Sequence, residues 1–208
     1  MAIAADRPED LAPLADRVQR HAGIDRLFHW LTAAAVLTLM ATGLLPHVGV
    51  HFDWVAIHWI TGLALTILVI FHLVRSLFWQ HLRTIWFSLA EIRARRPAKY
   101  SVPQRLMHHA LGLVVLAAVI TGLLMLKKIR TPFFVRDPYF LGADAWGVVY
   151  FIHGLAAVAA VSLVMIHVYF ALLPENRRYL RAMIRGWMTR EEQRAHAGGS
   201  LPPRKQTA

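Results

Sequence analysis

The stretch from Gly147 to Leu173 reads GVVYFIHGLAAVAAVSLVMIHVYFALL. It carries no Asp, Glu, Lys or Arg, and it is longer than the ~20 residues an α-helix needs to cross the hydrocarbon of a bilayer. Two histidines, His153 and His167, interrupt the apolar run fourteen residues apart. That interval is nearly four helical turns, so both rings project from about the same face, roughly 21 Å apart along the axis. An imidazole inside a membrane must find a partner and is a functional candidate by default.

Outward from this segment, three more apolar runs of similar length stand at Phe28 to Pro46, Val55 to Trp79 and Leu106 to Leu126. The pattern predicts an all-α integral membrane four-helix bundle. A composition 57% hydrophobic and 17% charged, with mean hydropathy +0.44, lies on the membrane side of the globular norm. The chain has no cysteine, which excludes disulfides, iron–sulfur clusters and covalently attached c-type haem within it. Any metal must be held by histidine, methionine or oxygen.

The formal net charge of +11 is unevenly spread. Nineteen Lys and Arg residues border one end of the spans, in the N-terminal tail, near Arg75, between Gln80 and Arg105, and in the C-terminal tail. Only four, Lys127, Lys128, Arg130 and Arg136, fall on the other side. Positive loops are retained in the cytoplasm, so both termini are expected inside a bacterial inner membrane. "Inner" and "outer" below denote these two ends. Charge that borders apolar spans, with no separate basic domain, argues against a nucleic-acid partner and for membrane lipid.

The expected organisation is a cytoplasmic tail over 1–27, a four-helix membrane domain over 28–173 and a basic cytoplasmic tail over 174–208. Met1 to Arg26 is polar and does not read as a cleaved signal. Leu82 to Arg96 (LRTIWFSLAEIRARR) mixes aromatics with arginine and is expected as an amphipathic helix on the cytoplasmic interface. The segment from Lys127 to Trp146 suits either an ordered outer surface for a partner or a solvated loop. The residues after Arg194 have the composition of a disordered end. No internal repeat is strong enough to argue from.

The membrane histidines fall at two depths. His58, at the outer start of the second span, matches His153; His29, at the inner start of the first, matches His167. A b-type haem in a helix bundle takes two axial imidazoles from facing helices, one on each side of the porphyrin, so the fourth span can serve two haems. The competing reading is a set of buried histidines bonded to neighbouring backbone; four rings matched in depth weigh against it. The outer iron is assigned to His58 and His153, and the inner one to His29 and His167. His72 follows His58 by fourteen residues as well, and spacing leaves His29 and His72 both open as the inner ligand. His108 and His109, at the cytoplasmic entry to the third span, read as interfacial ahead of the alternative that they line a quinone or proton path, and His21, His47, His51, His81 and His196 read as wetted. Gly43, Gly62, Gly122 and Gly154 allow close approach of a flat macrocycle or of another helix.

Several stretches together resemble the membrane-anchoring cytochrome b (gamma) subunit of respiratory formate dehydrogenases, within the superfamily of prokaryotic dihaem cytochromes b561 and nickel–iron hydrogenase b-type cytochromes. They are GIDRLFHW around His29, IHWITGL around His58 with Arg75 beyond it, KYSVPQR before the third span, VITGLL within it, and IHGLAAVAAVSLVMIHVYF across His153 and His167. The resemblance runs from about Gly23 to Arg185. It implies two haems b, with the inner one on His29 in preference to His72, and a quinone, menaquinone or ubiquinone, as substrate. It also implies an iron–sulfur subunit and a catalytic dehydrogenase subunit as partners, and a role relaying electrons between them and quinone. It places the quinone near the segment entering the third span, where Tyr100, Ser101 and Gln104 are the candidates. Here the family's Lys-Tyr-Asn reads Lys99, Tyr100, Ser101, with Pro103 following. A stand-alone quinol oxidoreductase like cytochrome b561, or the b-type subunit of a hydrogenase or sulfur-compound oxidoreductase, is the alternative.

Overall fold

The computed structural model describes residues 16–78, 101–133 and 135–196. Four long helices dominate: α1 (Gly23–Leu44), α2 (Trp54–Phe78), α3 (Val102–Met125) and α4 (Ala143–Leu172). Single 3-10 turns, Leu45–Val48 and Leu126–Lys128, prolong α1 and α3. Every span is long and apolar enough to cross a bilayer, and the protein is an all-α integral membrane helical bundle.

The helices start earlier than the apolar runs do. Pro103 sits in the first turn of α3, where its missing N–H costs nothing, so Gln104 and Arg105 are helical although they precede the apolar run. Asp144 sits in the first turn of α4, on the favourable end of the helix dipole. The 30 residues of α4 rise ~45 Å, beyond the ~30 Å of hydrocarbon, so its ends reach past the apolar layer. The predicted interfacial helix over Leu82 to Arg96 lies outside the described residues.

Large apolar side chains face outward: Leu113 is 71% exposed, Ile67 and Met165 67% each. In water such a surface would drive aggregation; in a bilayer it is the lipid contact. The side chains buried within the spans include Leu65, Val149 and Ala156 and two threonines, Thr42 and Thr121.

The described residues fall into two compact units. The first lies within Phe28–Leu82 and Val102–Val168 and holds most of the four helices. Its α1–α2 turn closes on Gly49, whose φ of +86° a side chain would strain. Its outer α3–α4 connection is ordered: Asp137 N–H donates to the Lys127 carbonyl at 2.8 Å, and Arg136 Nε to the Lys128 carbonyl at 3.0 Å. Trp146 Nε1 donates to the Pro138 carbonyl at 3.0 Å, and Lys128 Nζ stands 4.6 Å from the Trp146 ring centre. Of the two readings left open for this segment, the ordered surface fits these bonds.

The second unit draws on the chain up to Leu27 and from Tyr169 onward. Strand β1 (Arg17–Gln19) pairs antiparallel with β2 (Trp187–Thr189), Val18 opposite Met188. Between α4 and β2 runs α5 (Arg177–Arg185), which ends at Gly186 with φ +91°. The Gly186 carbonyl accepts from Arg20 N–H at 2.8 Å, and Arg26 Nη1 donates to the Ile184 carbonyl at 2.7 Å. Helix α6 (Arg190–His196) opens with a reciprocal cap: Glu192 Oε2 accepts from Thr189 N–H at 2.9 Å and Thr189 Oγ1 from Glu192 N–H at 3.2 Å. Sequence patterning anticipated no strand here, because three residues are too few to show a period of two. Ala195 and His196, read as part of a disordered end, complete α6.

Candidate functional site

Six histidines of the four long helices stand in three facing pairs. At the outer level, the rings of His58 on α2 and His153 on α4 have centroids 6.3 Å apart at an interplanar angle of 70°. At the inner level, His29 on α1 and His167 on α4 are also 6.3 Å apart, at 57°. His72 on α2 faces His108 on α3 at 5.9 Å and 66°. The choice between His29 and His72 that spacing left open therefore takes a definite form: His29 stands beside His167, and His72 has a partner of its own. His108, read as interfacial, belongs to that third pair.

The outer rings are held by hydroxyls. Thr42 Oγ1 lies 2.8 Å from the Thr38 carbonyl and 2.8 Å from His58 Nδ1. Thr121 Oγ1 lies 2.6 Å from the Ala117 carbonyl and 2.8 Å from His153 Nδ1. A hydroxyl has one proton to give, and a carbonyl can only accept, so each threonine donates along its own helix. The imidazole contact must then run the other way, with Nδ1–H donating to the threonine oxygen. That fixes the tautomer and leaves Nε2 with a free lone pair on both rings, the form a metal ligand takes.

Two of the four glycines noted above serve these rings. A Cβ on Gly43 would stand 3.6 Å from His58 Cε1, and one on Gly122 would stand 3.3 Å from His153 Cε1. They make room for the imidazoles themselves. Gly62 instead abuts Leu39, as helix packing predicts, and nothing lies within 4 Å of a Cβ on Gly154.

The threonines were not singled out in the sequence, although a signal for them is present. Thr-Gly-Leu-Leu occurs at 42–45 and again at 121–124, in each case thirteen residues after a histidine, His29 or His108. His58 and His72 are spaced as His153 and His167 are. The α1–α2 hairpin thus repeats as α3–α4, with His29 matching His108, Thr42 matching Thr121, His58 matching His153 and His72 matching His167. The structure bears the repeat out in contacts: each Thr-Gly step holds the outer histidine of the helix that follows it. No one residue type reveals this repeat, and the bare apolar character of all four spans masks it.

Haem b can be tested against this arrangement. Iron bound to imidazole nitrogen at ~2 Å on both sides sets the two ring centres about 6 Å apart. The outer and inner pairs meet that separation at 6.3 Å with nitrogen donors from facing helices and fit the group; His72–His108 meets it too, at 5.9 Å, so what sets the first two apart is that α4 contributes to both. Among the described residues no cluster of three or more His, Cys, Asp or Glu offers a separate metal site.

Of the quinone candidates, Tyr100 lies outside the described residues. Ser101 immediately precedes α3, and Gln104 lies on α3 one turn before His108. At the outer ends of α2 and α3 an open cleft of about 580 Å³ is lined by three basic residues, Lys128, Arg130 and Arg136, by Asp53, and by apolar side chains that include Trp59 and Ile129.

Compared with known families, residues 20–186 match the model described as prokaryotic cytochrome b561, which covers most of the chain. None of the curated proteins compared with it matches.

Proposed function

The chain belongs to the prokaryotic cytochrome b561 family, and we propose that it is the dihaem, membrane-anchoring subunit through which a periplasmic dehydrogenase exchanges electrons with quinone. Membership makes it a multi-pass membrane b-type cytochrome of electron transfer; the number of haems, the quinone and the partner are the proposal. The observation that carries it is the equal 6.3 Å separation of two histidine pairs at two depths, with α4 contributing to both.

When bound, haem b supplies reversible one-electron transfer at each pair. The protein's own part is positional. His58 and His153 present Nε2 at the outer level, with Thr42 and Thr121 holding their tautomers. His29 and His167 do the same work at the inner level. The fourteen-residue step along α4 sets the two levels roughly 21 Å apart, one toward each face of the bilayer. At the outer face the basic side chains of Lys128, Arg130 and Arg136, set among apolar ones in the cleft, favour a partner surface with acidic groups, which fits an iron–sulfur subunit delivering electrons there. Quinone reduced near the inner face takes up two electrons and two protons, and protons drawn from the cytoplasm would make the crossing charge-separating. Formate is the substrate that the sequence resemblance favours for the catalytic partner, in a bacterial inner membrane complex.

Haem stoichiometry tests the assignment. The purified protein is expected to carry two haems b per chain by pyridine haemochromogen. Changing His58 or His153 to Ala should remove one haem, His29 or His167 to Ala the other, and His72→Ala neither. A colourless protein, a single haem, or loss of haem in His72→Ala with retention in His29→Ala would overturn it. The family match equally admits a stand-alone quinol oxidoreductase. Purification in mild detergent separates the two, since a subunit brings its iron–sulfur partner with it.

A further inference from the structure

The outer histidine level has a cation turned toward it. Lys128 closes the 3-10 turn that prolongs α3, seven residues beyond Thr121 and so two turns further out on about the same face. Thr121 reaches His153 on α4, and Lys128 reaches the same stripe of α4: its Nζ stands 4.6 Å from the Trp146 ring centre and 5.6 Å from that of Tyr150. Trp146, Tyr150 and His153 follow one another at helical spacing, which sets the two aromatic residues roughly 10 and 5 Å outward of His153 along the axis, and the ammonium with them. On its other side Lys128 lines the outer cleft with Val55, Ala56 and Trp59, the residues of α2 around His58. It is half-buried, whereas Arg130 and Arg136 are exposed, and the adjacent Lys127 lies over Phe140 in the outer connection. Among the described residues no carboxylate, Asp53 in the same cleft included, pairs with the Lys128 ammonium, whose contacts are the two ring faces.

An ammonium held against two aromatic faces keeps N–H donors to give, and a carboxylate is the acceptor that answers both its charge and its donors. Haem b carries two carboxylates, its propionates, and hydrocarbon does not accept them ionised, so at an outer level they turn toward the outer face. From these observations we infer that Lys128 holds a propionate of the outer haem, at the mouth of the cleft between the helix turns that carry His58 and His153. The assignment rests on the reading of His58 and His153 as an iron site and gives the haem a third point of attachment. Two axial imidazoles define only a line, about which a porphyrin can turn; a cation on one edge sets that rotation. Trp146, 3% exposed, gives the ammonium a fixed wall to stand on. The same charge acts on the iron, because a nearby cation favours the ferrous form, which carries one positive charge fewer than the ferric. The exposed Arg130 and Arg136 are left to face a partner.

The test uses the full-length protein purified in detergent, and the outer haem is the component that His58→Ala removes. In Lys128→Gln, transfer of the outer haem to apomyoglobin should run roughly tenfold faster, the scale of one charge-assisted hydrogen bond, and its midpoint potential should fall, while the inner haem keeps both values. Lys128→Arg, which retains the charge, should stay near wild type. Loading the unmodified chain with haem dimethyl ester, which has no carboxylate, should loosen the outer haem to the same extent, and Lys128→Gln combined with the ester should change nothing more. If His58→Ala removes no haem, the reading of the outer pair as an iron site fails, and this assignment with it. If it removes one and Lys128→Gln matches wild type in both measurements, only the Lys128 assignment fails. A further loss in the ester-loaded variant would mean that Lys128 steadies Trp146 and Tyr150 and not a propionate, and would also overturn it.

Discussion

The outer and inner histidine levels of this bundle are built by different means. At the outer level each ring is fixed by a threonine whose own proton is already committed to its helix, so the imidazole has one tautomer and one orientation. At the inner level, among the described residues, no hydroxyl stands on His29 or His167; their recorded ring contacts are with each other and, for His29, with Trp30. The inner level also carries a second pair that the outer level lacks. The duplicated hairpin explains both facts: a two-fold relation maps His58 onto His153 and leaves one outer pair, whereas it maps His29–His167 onto His108–His72 and generates two inner ones. The outer level therefore holds one pair with hydroxyl-fixed rings, and the inner level holds two facing pairs.

The largest expected effect comes from removing the feature that distinguishes the levels. Thr42→Val and Thr121→Val keep the side-chain shape and delete the acceptor for Nδ1–H. Outer-shell partners of this kind are worth about 10- to 100-fold in metal affinity, so the double variant should lose outer haem on dilution or dialysis while inner haem stays. Because the hydrogen bond raises imidazole basicity and so favours ferric iron, its loss should also raise the midpoint potential of the outer haem that remains. Redox titration with the inner component unmoved is the expected result. A shift of both components together would mean that the threonines hold the bundle and not the ligands.

A smaller effect sharpens the comparison within the outer level. Gly→Ala in a helix interior is worth about 1 kcal/mol in the helix's favour where space permits. At Gly43 the added methyl would meet His58 at an ordinary 3.6 Å, and Gly43→Ala should be neutral or slightly stabilising in thermal melts. At Gly122 the 3.3 Å approach to His153 requires the ring to give way, and the ring is tied to Thr121 on the same helix turn. Gly122→Ala should therefore weaken outer haem retention. Equal behaviour of the two variants would break the claim that these glycines fit imidazoles.

Much of the fold was legible in the sequence, because in hydrocarbon a backbone has to satisfy its own hydrogen bonds and a long apolar run leaves a helix as almost the only option. The expectation for the inner level was less complete. Spacing shows that His72 and His167 each stand fourteen residues from an outer histidine, but which helices face one another is a packing property that a single span does not encode. The threonines escaped notice because Thr in a membrane helix ordinarily satisfies itself on the preceding turn, as Thr66 does on the Gly62 carbonyl. Only contact across helices distinguishes Thr42 and Thr121 from it. The β1–β2 pairing escaped for the opposite reason, being too short to leave any pattern.

The smallest prediction is a control set outside the membrane, where neither histidine level should respond. Glu192 is pulled two ways: burial pushes its carboxyl up, while hydrogen bonds from Thr189 N–H, the Arg181 guanidinium and the Thr189 side chain, with the Arg181 charge, bring it down, and the lowering outweighs. A carboxyl held below its ordinary value in the folded protein stabilises it once pH exceeds that ordinary value. The contribution is lost as pH falls through the lower, folded-state value. Glu192→Gln should thus loosen α6 and the β1–β2 pair at neutral pH by about 1 kcal/mol, the scale of a helix cap, reduced where solvent screens the Arg181 contact. Amide exchange at Thr189 and Glu192 is the readout, and the difference from wild type should vanish in acid. Haem midpoint potentials should be the same in Glu192→Gln as in wild type at every pH tested; a shift would mean that the substitution acts on more than α6 and the strand pair.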